Sequence, residues 1–308
     1  MPESVLLSEG LDAVSLPGVP LAVLGYPVKH SISPAIHNAA LAEMAKTDPA
    51  FGQWLYHRVE VPAERLPEVL PKLRHAGFHG LNLTIPHKVQ AMGLVENLSS
   101  EAERIGAVNT LIASPETSGW NGDNTDGHGF EQAVRRDLGV ELGSSRVILL
   151  GAGGAARAAA ARCMLADCPE VHIGNRSPER LDELLALLPV SPSGRRATGF
   201  VFSSPPEDLP KGEDVLIVNA TSLGLRSEDP APFDLAGFSA DAKLYDMIYN
   251  PPETDLLREA RDRGMEAANG LSMLVLQAAR SLEVWTQAEV PVETMFAAAE
   301  EALSQLWT

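Results

Sequence analysis

The chain has 308 residues, enough for two domains of ordinary size, and a formal net charge of −17 that argues against nucleic acid or an anionic membrane as partner. An anionic small molecule is not excluded, since it needs only a local cationic site. No apolar run approaches the length that spans a bilayer, and Met1-Pro2-Glu3-Ser4 lacks the basic-then-apolar order of a signal peptide.

Residues 1–20 carry no clear period and read as a loose extension. Leu21-Ala22-Val23-Leu24-Gly25 then reads as a buried strand. Past the loop from Tyr26, Ser33-Pro34 reads as an N-cap followed by proline at the first helical position, with a helix to about Lys46. Ser31 and Ser33 thus stand at a strand-to-helix turn, where hydroxyls either cap the helix or face a ligand outside the strand's carboxyl end. Residues 62–76 have a helical period through Leu66, Val69, Leu70 and Leu73, which Pro67 and Pro71 oppose. Gly80-Leu81-Asn82-Leu83-Thr84-Ile85-Pro86-His87-Lys88 alternates polar and apolar residues until Pro86 stops it, placing Asn82 and Thr84 on one side and Lys88 just past the end. Alone, Lys88 reads as a solvated charge. Gly106–Ile112 reads as turn then strand and offers Asn109 as a neutral hydrogen-bonding group. Gly122–Gly127 is a turn opening an amphipathic helix to about Leu138, with Asp126 in its first turn, where the helix dipole favours a carboxylate.

Arg146-Val147-Ile148-Leu149-Leu150 is a short apolar run of the buried parallel-strand kind. Gly151-Ala152-Gly153-Gly154-Ala155-Ala156-Arg157 and an alanine-rich helix follow. Strand, glycine turn and helix in that order form a dinucleotide-binding fingerprint, with the phosphates at the helix N-terminus. Cys163 and Cys168 end this helix with no metal spacing and no expected disulfide, so a reducing cytoplasm fits. After the next strand, Val171–Arg176, an NAD-binding unit would place an acidic residue for the ribose 2′-hydroxyl. Here Asn175, Arg176, Ser177 and Arg180 surround a helix N-terminus instead, a set suited to a 2′-phosphate and hence to NADP(H). Val215–Ser222 and Lys243–Tyr249 read as further strands, and Asn250–Thr254 turns into a helix through Arg263. Asn269-Gly270 breaks the chain before a long, mostly apolar helix that carries Gln277, a polar group either satisfied in the core or aimed at a ligand.

Together these segments resemble the shikimate dehydrogenases. The stretches that carry the resemblance are Lys29–Pro34, Asn82–Lys88, Gly106–Thr110, Asp123–Gly127, Gly151–Arg157, Asn175–Arg180, Asn219–Ser222, Tyr245–Thr254 and Gly270–Ala279. The resemblance implies an α/β protein of two domains. An α/β substrate-binding domain at 1–124, to which the last helices (271–308) return, is joined to a Rossmann-type NADP-binding domain at 125–270. It implies substrate contacts from Ser31, Ser33, Thr84, Asn109, Asp126, Tyr249 and Gln277, and a catalytic pair, Lys88 and Asp126. Gly151, Ala152, Gly153, Gly154, Ala155, Asn175, Arg176, Ser177 and Arg180 would form the NADP site, with Met247 and Gly270 beside the nicotinamide. Leu83 stands where the family usually has valine, and the N-terminal extension is longer than typical.

The implied reaction is reversible, NADPH-dependent reduction of 3-dehydroshikimate to shikimate, in chorismate and aromatic amino-acid biosynthesis, by a cytoplasmic monomer or homodimer with no metal. An ordinary lysine is already an acid at neutral pH, as reduction requires, and must act as a base in the reverse direction, which favours oxidation at alkaline pH. Two other readings compete: a quinate or quinate/shikimate dehydrogenase using NAD, which Arg176 and Arg180 oppose, and a non-catalytic regulator binding shikimate-pathway metabolites, which the presence of both Lys88 and Asp126 opposes.

Overall fold

A computed structural model describes residues 5–7, 16–226 and 228–306. The chain divides into two units, Met1–Thr125 with Gln277–Thr308, and Asp126–Leu276.

In the first unit, strands β1 (Val5–Leu7), β2 (Val19–Gly25), β3 (Trp54–Glu60), β4 (Gly80–Leu83), β5 (Asn97–Leu98), β6 (Thr110–Ala113) and β7 (Trp120–Asp123) form one sheet in the order β1-β3-β2-β4-β6-β7-β5. The strands β1, β3, β2 and β4 are parallel, and β6 runs antiparallel to both neighbours. Helices α1 (Ser33–Met44), α2 (Leu66–His75), α3 (His87–Gln90) and α4 (Ser100–Ile105) lie between the strands in sequence. Leu21, Ala22, Val23 and Leu24 are all buried, the continuous apolar run expected of a strand covered on both faces.

Helix α2 forms despite its prolines, and the magnitudes explain why. Pro67 falls in the first turn, where no intrahelical N–H is lost, and only Pro71 is interior. An interior proline costs about 3 kcal/mol, whereas each of Leu66, Val69, Leu70 and Leu73, fully buried, returns roughly 1.5–3 kcal/mol.

Three local expectations are corrected. Val5–Leu7, read as part of a loose extension, is a strand paired in parallel with Arg58–Glu60 of β3. Three residues are too few to show a period, and the exposed edge of β3 supplies the partner. The rest of that extension up to residue 15 lies outside the described residues. Ser33 is not the cap of α1 but its first residue. The cap position is Ile32, with no side-chain cap, and the Ser33 N–H donates to Ser31 Oγ at 3.3 Å. The strands expected to reach Ser222 and Tyr249 end at Asn219 and Asp246, because each of those side chains takes up the next backbone N–H groups: Thr221 N–H donates to Asn219 Oδ1 and Ile248 N–H to Asp246 Oδ1, both at 3.1 Å.

The second unit opens with α5 (Asp126–Leu138). Its strands are β8 (Arg146–Leu150), β9 (Val171–Asn175), β10 (Thr198–Val201), β11 (Val215–Asn219), β12 (Lys243–Asp246) and β13 (Glu266–Asn269), with helices α6 (Gly154–Leu165), α7 (Pro178–Leu187) and α8 (Asp255–Asp262) between them. All six strands are parallel, in the order β10-β9-β8-β11-β12-β13, the doubly wound dinucleotide-binding arrangement. The apolar run of β8 serves both faces. Val147 and Leu149 join the core with α5 and α6, while Ile148 and Leu150 join the one with α8. Ala156 and Ala158–Ala161 are fully buried, and their small side chains let α6 lie close on the sheet. Helix α6 ends in a Schellman cap: Cys168 N–H donates to Cys163 O and Asp167 N–H to Met164 O, both at 3.1 Å, with Asp167 left-handed at φ +60°. Both cysteines are buried thiols.

Helices α9 (Leu271–Thr286) and α10 (Val292–Leu306) close the chain. The division between units falls inside α9 rather than before Leu271, because Met273 and Leu276 belong to the core of the second unit. In the first unit, α10 packs on α1. No helix among the described residues is long and apolar enough to cross a membrane.

Candidate active site

In the first unit the candidate residues gather at the carboxyl ends of β2 and β4. Parallel pairing puts the loops after these two strands side by side, and Thr84 N–H extends the ladder by donating to Leu24 O at 2.9 Å. The loop after β2 carries Ser31 and Ser33, whose hydroxyls lie 3.2 Å apart. Arg58 of β3 holds this loop, donating from Nε and Nη2 to Ser31 O at 2.8 and 2.6 Å. Thr84 and Lys88 follow β4, and Lys88 lies on α3, half-buried.

Because β6 runs antiparallel to β4, its first residues return to this same end, and Asn109 precedes it directly. Leu83 N–H donates to Asn109 O, and Val108 N–H donates to Lys88 O, each at 2.8 Å. Asn109 is buried, and its amide is oriented by its neighbours. The Thr125 backbone N–H donates to Oδ1 at 2.8 Å, so Nδ2 is the donor atom, reaching Thr125 Oγ1 at 3.0 Å and Gln277 Oε1 at 3.3 Å. Ser31, Ser33, Thr84, Lys88, Asn109 and Gln277 are thus parts of one unit. Asp126, next in the chain after Thr125, is buried in the first turn of α5 in the second unit.

In the second unit the glycine loop fills the space between the ends of β9 and β11. Gly151 N–H donates to Gly174 O at 2.7 Å, and Ala220 N–H to Leu150 O at 2.9 Å. Gly151 is left-handed at φ +113°, and a Cβ there would meet Ala220 O at 2.8 Å. Gly153 has nothing within 4 Å of a Cβ position, and no side chain caps α6. Open space before an uncapped helix N-terminus at the switch point of a doubly wound sheet suits a dinucleotide pyrophosphate. The end of β9 adds Asn175, whose Nδ2 donates to Ser177 O at 2.9 Å, and Ser177, which caps α7. Arg176 and Arg180 are exposed beside it. Glu179 lies in the same turn and accepts from Ser177 Oγ at 2.8 Å. Gly270 sits over Met247, where a Cβ would meet the Met247 carbonyl oxygen at 2.1 Å. Tyr249 follows β12, and burial pushes its phenol up.

The chain matches the family model described as shikimate dehydrogenase substrate binding domain over residues 23–111, and the one described as shikimate 5′-dehydrogenase C-terminal domain over 270–300. It is 41% identical to the shikimate dehydrogenase (NADP(+)) of Methanothrix thermoacetophila, over 92% of this chain and 98% of that one. The chain belongs to the shikimate dehydrogenase family. Among solved members, the shikimate 5-dehydrogenase of Thermus thermophilus in complex with NADP(H) and shikimate is 36% identical with a TM-score of 0.77, covering 92% of this chain and all (100%) of that one. The quinate dehydrogenase of Corynebacterium glutamicum in complex with NAD has a TM-score of 0.80 at 26% identity, covering 92% and 99%. Backbone similarity alone therefore does not separate the two substrates or the two cofactors.

Sequence reasoning passed over the groups that orient Asn109. Asn82 showed its place through the alternation of β4 but was given no role. Thr110 and Thr125 flank recognised residues, and Ser281 lies one helical turn past Gln277, on the same face of α9.

Proposed function

We propose that this family member catalyses the reversible NADP-dependent interconversion of shikimate and 3-dehydroshikimate, a step of chorismate and aromatic amino-acid biosynthesis. The observation that carries the reading is the convergence of Ser31, Ser33, Thr84, Lys88, Asn109 and Gln277 at one end of β2 and β4. A cationic group stands there among neutral hydrogen-bonding groups, a set matched to a small polyhydroxy acid. Ser31, Ser33 and Thr84 offer hydroxyls, while Asn109 and Gln277 offer amides. In the second unit Asp126 accepts from a substrate hydroxyl and Tyr249 supplies a phenol O–H.

Bound NADPH supplies the hydride for reduction. Gly151–Ala155 would hold the pyrophosphate, Asn175, Arg176, Ser177 and Arg180 the 2′-phosphate, and Met247 and Gly270 would border the nicotinamide. In the reductive direction Lys88 Nζ donates a proton to the carbonyl oxygen as negative charge develops there, and stabilises that charge before the proton moves. In the oxidative direction Lys88 takes the proton from the hydroxyl that becomes the carbonyl. The same reading has the enzyme act in the cytoplasm, as a monomer or homodimer. The test follows NADPH formation with shikimate and with quinate in parallel. Turnover of shikimate with NADP is expected, and its absence overturns the reading.

A further inference from the structure

Behind Asn109 lies a chain of buried polar groups in the first unit to which neither the sequence motifs nor the proposed reaction gives a role. Tyr56, Asn82, Thr110, Thr125 and Ser281 are all buried, and Ser281 is 0% exposed. A buried hydroxyl brings one proton and two lone pairs, so the direction of each bond can be worked out from its ends.

At one end, Tyr56 OH donates to Asn82 Oδ1 at 2.8 Å, and burial keeps the phenol protonated. This identifies the other amide atom of Asn82 as Nδ2, which donates to Ser281 Oγ at 3.0 Å and to Asn109 O at 3.2 Å. At the other end, the Thr125 backbone N–H marks Asn109 Oδ1 as an acceptor. Thr110 Oγ1 donates to that same oxygen at 2.8 Å, which commits its only proton. Thr110 therefore accepts from Ser281, whose Oγ lies 2.9 Å away. Donation runs one way, from Tyr56 through Asn82, Ser281 and Thr110 to Asn109 Oδ1, with Asn82 Nδ2 also 3.2 Å from Thr110 Oγ1, and so fixes Nδ2 as the Asn109 donor atom, facing Thr125 Oγ1 and Gln277 Oε1. The single Ser281 proton is shared between two acceptors, Thr110 Oγ1 at 2.9 Å and Gln277 O, one turn back on α9, at 3.1 Å.

We infer that Ser281 is a positioning residue for substrate binding: its hydroxyl joins α9 to β4 and β6, holds the Gln277 turn in place and fixes Asn109 with Nδ2, its donor atom, on the side of Thr125 Oγ1 and Gln277 Oε1. A substrate atom that meets Asn109 at Nδ2, alongside Gln277, must then be an acceptor, a hydroxyl or carboxylate oxygen. The inference rests on the reading of Asn109 and Gln277 as substrate contacts.

The test compares S281A, S281C and N109A by steady-state kinetics with shikimate and NADP, with melting temperatures in parallel. S281A is expected to raise the shikimate KM about fivefold, the net worth of one hydrogen bond, with kcat and the NADP KM within about twofold of the wild type. Cysteine fills the serine volume but bonds weakly, so S281C should behave like S281A. A wild-type KM in S281C would make the role one of packing and overturn the inference. So would an unchanged KM in S281A alongside a raised KM in N109A. An unchanged shikimate KM in N109A would instead remove Asn109 from the substrate site, and the inference with it.

Discussion

The Trp285 indole lies on Gly80: a Cβ at residue 80 would come within 2.4 Å of the ring, while Trp285 Nε1 donates to Leu111 O at 3.0 Å. The glycine is what lets α9 lie on β4, and the indole bond ties it to β6. Gly80→Ala forces the ring off a position that its N–H fixes, and should cost roughly 1–3 kcal/mol of stability. Urea unfolding measures it, and an unchanged midpoint would show that α9 tolerates the shift. Because Gln277 and Ser281 ride on the same helix, the shikimate KM of this variant should rise as well.

His37 gives the first unit a pH dependence. It is fully buried on α1, stacked on Tyr56 with centroids 3.9 Å apart, and its Nδ1 donates to Ser33 O at 2.9 Å. Burial holds its pKa down to about 4, only partly opposed by the Ser33 and Ala278 carbonyls. The unfolded chain therefore takes up a proton below about pH 6.5 that the folded chain refuses until about pH 4. Stability is full above the upper value and falls as pH drops toward the lower one, by roughly 2–3 kcal/mol between pH 7.5 and 4.5 from this group. Urea unfolding of wild type and His37→Phe across that range isolates the contribution. If both chains lose the same amount, His37 is not its source.

The fold was legible where sequence carries period or punctuation. Arg146–Leu150 reads as a doubly covered strand because every inward position on both faces is apolar, and Ser177-Pro178 reads as a helix start because capping chemistry is local. Strand β13, Glu266-Ala-Ala-Asn269, is four small or polar residues and shows no pattern; it exists because β12 has an open edge. Trp54–Glu60 carries the strand formers Trp54, Tyr56 and Val59 but no motif, and it supplies Arg58 to the serine loop and Tyr56 to the buried chain. Within the site, residue type and turn alone leave Lys88 a solvated charge and Asp126 a residue of a helix start; their proposed roles come from the family resemblance. Ser281 was invisible because its partner Asn82 stands 199 residues away, and only folding brings them together.

Lys88 is the group assigned to proton transfer, and its substitution separates that role from binding. Lys88→Ala should lower kcat about 10²–10⁴-fold, the usual worth of a positioned general acid, with melting temperature near wild type because the residue is half-buried on a four-residue helix. Near-normal kcat with only a raised shikimate KM would leave Lys88 a binding residue.

Cofactor choice rests on a smaller margin than the two arginines suggest. Arg176 and Arg180 are exposed beside the N-terminus of α7, but Glu179 stands in the same turn, hydrogen-bonded to Ser177 Oγ. Ser177 Oγ also accepts from Arg180 N–H at 3.4 Å. A 2′-phosphate binding here gains guanidinium donors and displaces or repels that carboxylate, whereas a ribose 2′-hydroxyl could donate to it. R176A/R180A should raise the NADP KM about 10- to 100-fold, the worth of one charge-assisted hydrogen bond, and leave the NAD KM within about twofold. Glu179→Gln should act in the opposite sense, lowering the NADP KM and raising that for NAD. Parallel titration of the two cofactors at saturating shikimate measures both effects. Equal losses for NAD and NADP in the arginine variant would show that these side chains do not read the 2′-phosphate.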